Sequence, residues 1–559
     1  MPRLFPFLVR AVVVFVVLIA FSPATGATWW QGDPDVPGDW FEPSNWTEGV
    51  PTLHVSANIY EGTAVISAGD AEAGSLKLLG DTVELHLDGG TLTAGPMIGY
   101  GARMIQTDGV SRNDDLLVGW GAPNTGTYEL HGGTILVGGF TYVGGVIGGV
   151  VSPGHFIQNG GHHDVGYFLE VAWQQDSVGL YELNSGQITC GCHLEVGGHS
   201  GQPWPNHSGS ASFVQRGGAV EVAWSVVVYA GVYALEGGEV SAGGVAVLSD
   251  PYGEGRLEHS GGKLIAGDIV ISGIYEITGA SAEIICSEKL LFYGDPVFTA
   301  VPGATIRMTG AKFENECTDA GGLSGLANLT LVFEGGQDHI DPCEVAGEDM
   351  GAIMAGFENN FALGTLRIGG AGGIGQIQLF DAFDNRPGWD GAEALYVENL
   401  FVGPGSHLDL NGLNLYYLNG TIDPGAVLLG GTPILIPAPG SLELLGVGVL
   451  TLFRRRRRGP RAPLGSARGY PQSPLRGYLA RHTWPWLLSP VSRLRLDYAR
   501  RRLAPLVPLL FPIPWSLIPG PYLFPFPGPC LFPVPGLPPT WPVFRRRRWR
   551  VRPGRAGRR

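Results

Sequence analysis

Three groupings in this chain of 559 residues carry side chains able to do chemistry. Cys190-Gly191-Cys192-His193 has the thiols and imidazole of a metal site. A single C-x-C with no second C-x-x-C or His pair elsewhere is weak evidence for zinc. In a strand, alternation simply points Cys190 and Cys192 the same way, into a core. His162-His163-Asp164 and the set Asp108, Asp114, Asp115 have the right types for acid–base work. Both fall at predicted turns, where solvated side chains are the expectation. Trp29, Trp30, Trp40 and Trp46 form the third grouping. Four tryptophans so close together suit either a sugar platform or a cap over an open sheet edge, and the cap is the reading taken. No catalytic set, metal set or cofactor motif emerges.

The elements that must position these residues belong to a repeat. Aligned on a glycine turn, the units read Gly126-TYELHGGTILVGG-139, Gly154-HFIQNGGHHDVGY-167, Gly179-LYELNSGQITCGC-192, Ala211-SFVQRGGAVEVAW-224, Gly231-VYALEGGEVSAGG-244, Gly255-RLEHSGGKLIAGD-268 and Gly273-IYEITGASAEIIC-286. Tyr128 and Leu130 share one face before the Gly-Gly pair, and Ile135 and Val137 share one after it, so each unit is two short strands around a corner. The turns at 132, 160, 185, 217, 237, 261 and 279 are 18 to 32 residues apart. That is the size of one coil of a parallel β-helix with loop insertions. An antiparallel meander with Gly-Gly hairpins is the alternative. A stacked solenoid explains better why one template recurs at coil spacing, with each Tyr stacking on the coil below. Residues ~60–290 are expected to form such coils, with Tyr128, Tyr181, Tyr233 and Tyr275 inward.

Composition agrees. Residues 27–453 hold 78 of the 88 glycines, and 11 Lys and Arg against 49 Asp and Glu, a net charge of −38. Glycine at that density opposes helical bundles, and the charge opposes nucleic-acid binding. β-Helices host polysaccharide lyases and hydrolases, but the four Lys (77, 263, 289, 312) and seven Arg recur at no single repeat position.

The two ends read as addresses. Arg3 and Arg10, the apolar run Ala11–Phe21 and the small residues from Pro23 to Ala27 have the order of a cleaved export signal. Export permits disulfides, and Cys317 with Cys343 is the natural pair among cysteines 190, 192, 286, 317, 343 and 530. Near the other end, Pro437-Ala438-Pro439 precedes the apolar run 441–453 and then Arg454, Arg455, Arg456, Arg457 and Arg458. This order resembles the PEP-CTERM sorting signal, with Ala438 where that family usually has Glu, and with 101 residues following where the family normally ends. The resemblance implies a short C-terminal membrane helix, transient membrane contact through 441–453, processing by an exosortase-type enzyme, and delivery to the cell surface or an exopolysaccharide matrix. The opening Trp29-Trp30-Gln-Gly32 … Gly38-Asp39-Trp40 … Asn45-Trp46 … Gly49-Val50-Pro51 and the stretch from Ala394 to Tyr417 also resemble the two ends of exported β-solenoid proteins that carry such signals. That resemblance implies a fold and an address, and no catalytic residue.

Beyond Gly459 the chain has 21 prolines and 18 arginines but no Lys, Glu or Asn. Its interleaved Trp and Arg suit a nucleic-acid or membrane arm, yet the bias is also what GC-rich DNA yields in an unselected frame, which is the reading preferred. Proline at that density forbids sheet ladders.

The chain therefore divides into a signal peptide (1–26), a Trp-rich cap (27–60), solenoid repeats (61–300), a C-terminal β module (301–433), the sorting signal (434–458) and a disordered Pro/Arg-rich tail (459–559). The expected fold is all-β, a right-handed parallel β-helix. The expected function is an exported cell-surface or extracellular-matrix structural protein, with a carbohydrate-binding or polysaccharide-degrading β-helix as the alternative.

Overall fold

The computed structural model describes residues 26–437, apart from 122, 148–149, 175, 199–209, 251–252 and 337–339. The export signal, the apolar run 441–453, Arg454–Arg458, Cys530 and the tail lie outside the described residues. Those described are nearly all β, in two large parallel sheets of 30 and 12 strands, with short 3-10 turns and no α-helix.

Each coil of the central stack contributes three strands rather than the two expected. In one coil these are Gly126–Leu130, Thr134–Val137 and Thr141–Val143. Each pairs in parallel with its counterpart in the next coil: Tyr128 with Phe156, Ile135 with His163, Val143 with Val171. The Gly-Gly turns are thus corners between stacked strands and not hairpins. Coils also precede the repeats that align in sequence, as Thr63–Ile66, Glu84–Leu87 and Arg103–Gln106 stack in register below Gly126–Leu130. Above, the 12-stranded ladder ends at Val297–Ala300, while the larger sheet continues through residues 301–433 to Ile434–Leu435. Insertions fall where the third strand returns to the first. Two antiparallel hairpins sit there, Gly145–Ile147 with Val150–Ser152 and Ser249–Asp250 with Gly253–Glu254. They fall within the steps from 132 to 160 and from 237 to 261.

Two inward ladders of the 12-stranded sheet line one side of the core. One runs Met104, Tyr128, Phe156, Tyr181, Phe213, Tyr233, Leu257, Tyr275, Phe298. All four expected tyrosines are buried. From Tyr128 to Tyr233 the rings stack nearly parallel, with centroids 4.5 to 5.0 Å apart. The second ladder, two residues on, runs Gln106, Leu130, Gln158, Leu183, Gln215, Leu235, His259, Ile277, so a polar side chain enters the core every second coil.

A buried amide must be hydrogen-bonded on both sides. Each glutamine is: its Oε1 accepts the hydroxyl of the tyrosine one coil above (Tyr128, Tyr181 and Tyr233, 2.7 Å each). Its Nε2 donates to a carbonyl of its own glycine turn, Gly109, Gly161 or Gly218. His259 does the same for Tyr275 and Gly262. The true repeat is therefore two coils long, a Phe/Gln coil clamped to a Tyr/Leu coil.

The corners demand glycine. Gly238 has φ 81°, and a Cβ there would lie 2.3 Å from the Gly218 carbonyl oxygen one coil below. A left-handed backbone costs an L-residue about 1–2 kcal/mol before any clash. Gly238→Ala should thus lower the free energy of unfolding by about 2 kcal/mol or more, measured from the urea midpoint at constant slope. An unchanged midpoint would contradict the corner geometry.

Candidate functional site

The residues singled out for chemistry mostly enter the core. Cys190 and Cys192 are both buried, but not within one strand: Cys190 ends the strand Gln187–Cys190, and Cys192 lies in the corner before the strand His193–Val196. Burial pushes the thiols of Cys190, Cys286 and Cys317 up to about 12, away from the thiolate that binds metal or attacks disulfides. The expected Cys317–Cys343 disulfide is not formed; both are free buried thiols. Cys317 follows the strand Lys312–Glu316 and is buried. Cys343 is an inward strand residue in register with Phe313, and packing places both in the apolar core.

His163 also departs from expectation. It is an inward residue of the strand His162–Val165, wholly buried, and not part of a solvated turn. Its ring stacks on Phe156 at 4.9 Å. Nδ1 lies 3.0 Å from the Tyr181 hydroxyl and Nε2 3.0 Å from Thr141 Oγ1. Since that hydroxyl is already donating to Gln158, it accepts from Nδ1–H, and Nε2 accepts from Thr141. Burial lowers the imidazole to about 3, so it is neutral and structural. Asp114 is exposed. Asp115 accepts the Phe140 N–H at 2.8 Å, and burial raises its carboxyl.

Trp30, Trp40 and Trp46 form a buried edge-to-face cluster, with centroids 5.1 and 4.8 Å apart, while Trp29 is 43% exposed. Trp46 Nε1 donates to the Trp40 carbonyl at 2.8 Å. Three buried rings offer no face to a sugar.

Outside the core, most of the body's cations are neutralised locally. On the outer face of the 12-stranded sheet, Arg103 bridges Glu84 and Glu129, at 2.6 and 2.5 Å. Arg256 bridges Glu258 and Glu276, and Arg216 bonds Glu182. Lys263, Arg307 and Lys312 also pair with glutamates. Half-exposed pairs of this kind contribute little each. They remove like-charge repulsion between coils.

A groove of about 490 Å³ opens on the larger sheet. Its floor is a corner made of small residues, Gly166, Gly191 and Ala223, and its wall is an outward ladder of Asp164, Thr189, Glu221 and Ser241. Thr189 Oγ1 donates to Asp164 at 2.6 Å, and Gln187 Nε2 to Glu221 at 3.1 Å. Carboxylates and hydroxyls at rung spacing can hydrogen-bond a polyol. Arg103 and Arg256 belong to the other sheet and Arg307 to a later coil, so no guanidinium lines the groove; its Glu239 pairs instead with Lys263 at 3.4 Å. Beside the groove, Phe140 stacks on Tyr142, Tyr167 and Phe168 at 5.5 to 5.7 Å with planes within 14° of parallel. Among the described residues, no group of three or more His, Cys, Asp or Glu side chains is placed to hold a metal, and no helix is long and apolar enough to cross a membrane.

Of the sorting-signal residues, only Pro437 is described. It is exposed and follows the last ladder strand, Ile434–Leu435, and the buried Ile436. Proline lacks the ladder donor, so Pro437 itself cannot donate to a further rung. Pro439, Arg454, Arg455, Arg456, Arg457 and Arg458 lie outside the described residues. No family model, curated protein or solved structure matches this chain.

Proposed function

We propose that this chain is an exported structural protein, a right-handed β-solenoid held at the cell surface or in an extracellular matrix and sorted through its PEP-CTERM-like segment. The right hand is the usual sense of parallel crossovers. The observation that carries the scaffold reading is where the polar chemistry goes. Gln106, Gln158, Gln215, His163 and His259 are all consumed in coil-to-coil hydrogen bonds. The outer arginines are consumed in ion pairs between coils. Such a molecule invests its functional groups in its own stacking. An acidic exterior suits a matrix of neutral or cation-bridged polysaccharide, and an exosortase-type enzyme is the processing partner that the sorting segment implies.

A second reading, direct carbohydrate contact, is supported by the groove alone. Two experiments divide these readings. Replacing Arg454–Arg458 by Gln should abolish membrane retention and processing in a host that has the sorting enzyme; normal processing of that variant defeats the address. Purified chain should bind matrix polysaccharide equally with and without the pair D164N and E221Q. Tenfold or greater loss in the double variant would replace the scaffold reading by a carbohydrate-binding one.

A further inference from the structure

The loop from Asp381 to Glu393 closes over carboxylates that no cation neutralises. Glu344 ends the strand Asp341–Glu344 and is 1% exposed. Its Oε1 accepts the N–H groups of Ala382 (2.8 Å) and Phe383 (3.1 Å). Glu393 begins the strand Glu393–Val402 and is 4% exposed; its Oε1 accepts the Arg386 N–H at 3.0 Å. Asp381 Oδ2 accepts the Glu393 N–H at 3.2 Å. One loop thus ties three carboxylates together.

The remaining oxygens are the informative ones. Glu344 Oε2 and Glu393 Oε2 are buried with no hydrogen-bond partner, and so is Asn385 Oδ1 on the same loop. Among the described residues neither glutamate makes an ion pair. Arg386, the loop's own cation, makes no ion pair with them: its guanidinium bonds the Asn359 carbonyl and Asn360 Oδ1 and lies over the Phe361 ring, with Nε buried and unpartnered. The contrast with Glu334 is direct. That carboxylate is equally buried, yet Arg307 bonds Oε1 and the Gly372 N–H donates to Oε2 at 2.7 Å. The fold neutralises a buried carboxylate with arginine in one place and leaves two without a cation in the other. Burial, then the charge of Asp381, pushes Glu344 and Glu393 both up to about 7. Buried anions of this kind take up either a proton or a metal ion.

We propose that Glu344 Oε2 and Glu393 Oε2 are ligands of a calcium ion held beneath the 381–393 loop. The donor chemistry is oxygen only, which suits a hard cation. Asp381 already accepts the Glu393 N–H, and among the described residues no group of three acidic, imidazole or thiolate side chains is placed for a metal, so this is not a zinc site, whereas calcium completes its six to eight positions with amide oxygens and water. The ion would pin the loop across the last coils.

The test uses the purified full chain, stripped with EDTA and titrated with CaCl₂ by calorimetry at about 0.15 M KCl, where surface carboxylates are screened. The expected result is one calcium per chain, bound at least tenfold more weakly by E344Q/E393Q, with a calcium-dependent rise in Tm that the double variant lacks. The groove variant D164N/E221Q should keep the full response. Glutamine removes a buried charge, so the double variant should be no less stable than wild type in EDTA; should it not fold, E393Q alone is titrated against the same criterion. A wild type whose Tm and heats ignore calcium, or glutamine variants that respond like wild type, would overturn the proposal.

Discussion

Tyr181→Ala is expected to cost at least about 5 kcal/mol, the largest effect of any single change in the central coils. Two losses combine. Deleting a fully buried aromatic ring leaves a cavity worth about 3–5 kcal/mol, here between Phe156 at 4.5 Å and Phe213 at 4.9 Å. The missing hydroxyl also strands Gln158 Oε1 and His163 Nδ1 in the core, at roughly 1–3 kcal/mol for each unsatisfied group. Tyr181→Phe separates the two. It keeps the stack, so it should cost only the second part, about 2 kcal/mol or more. Urea unfolding of both variants measures the difference, and hydrogen exchange should show loss of protection centred on the coils around residues 154–235, because a solenoid coil is held only by its neighbours. If Phe were neutral at 181, the hydrogen-bond clamp would be no part of what holds the coils together.

The clamp is legible in the aligned repeats when they are compared two at a time, and not in a single averaged template. Tyr128-x-Leu130, Phe156-x-Gln158, Tyr181-x-Leu183, Phe213-x-Gln215, Tyr233-x-Leu235, Leu257-x-His259 and Tyr275-x-Ile277 alternate strictly. Averaging them to one aromatic-x-apolar pattern erased the information that glutamine occupies an inward position every second coil. The parallel solenoid itself was legible, because period 2 around a glycine corner and recurrence at coil length have few other solutions. The third strand was not: Thr141-Tyr142-Val143 and Leu169-Glu170-Val171 have only the final valine in common, too short a pattern to mark a strand. The direction of His163 is hidden for a related reason. Its neighbours His162 and Asp164 are polar, and only register with inward Ile135 and Ile188 decides its direction. The loop carboxylates are harder still. Glu344 and Glu393 are brought together by a closure that no local pattern announces, and burial rather than residue type makes them unusual.

His259→Gln should preserve stability at pH 7.5 and remove part of its loss in acid. His259 stands in the ladder position that Gln106, Gln158 and Gln215 hold in other coils, and makes the same two contacts: Nδ1 at 3.2 Å from the Tyr275 hydroxyl, Nε2 at 3.4 Å from the Gly262 carbonyl. The carbonyl can only accept, so Nε2 carries the proton and Nδ1 accepts from tyrosine. A second proton on Nδ1 would destroy that acceptor. Burial accordingly lowers the imidazole to about 4, from an ordinary value near 6.5. The unfolded chain then binds more protons below pH 6.5, so stability falls as pH drops through that value and stops falling near pH 4. By pH 5 the loss from His259 alone is about 2 kcal/mol. His163, lowered further for the same reason, adds a similar amount. Glu344 and Glu393 act in the opposite sense, since carboxyls raised to about 7 are favoured in the fold as pH falls. Total stability therefore conceals the histidine effect, and the comparison between variants exposes it. Unfolding free energies of wild type and His259→Gln, measured from pH 7.5 to 5, should coincide within about 1 kcal/mol at the top of the range. They should diverge by about 2 kcal/mol in favour of glutamine at the bottom. Parallel curves would mean that His259 titrates normally, and with that the buried imidazole would lose its place in the clamp.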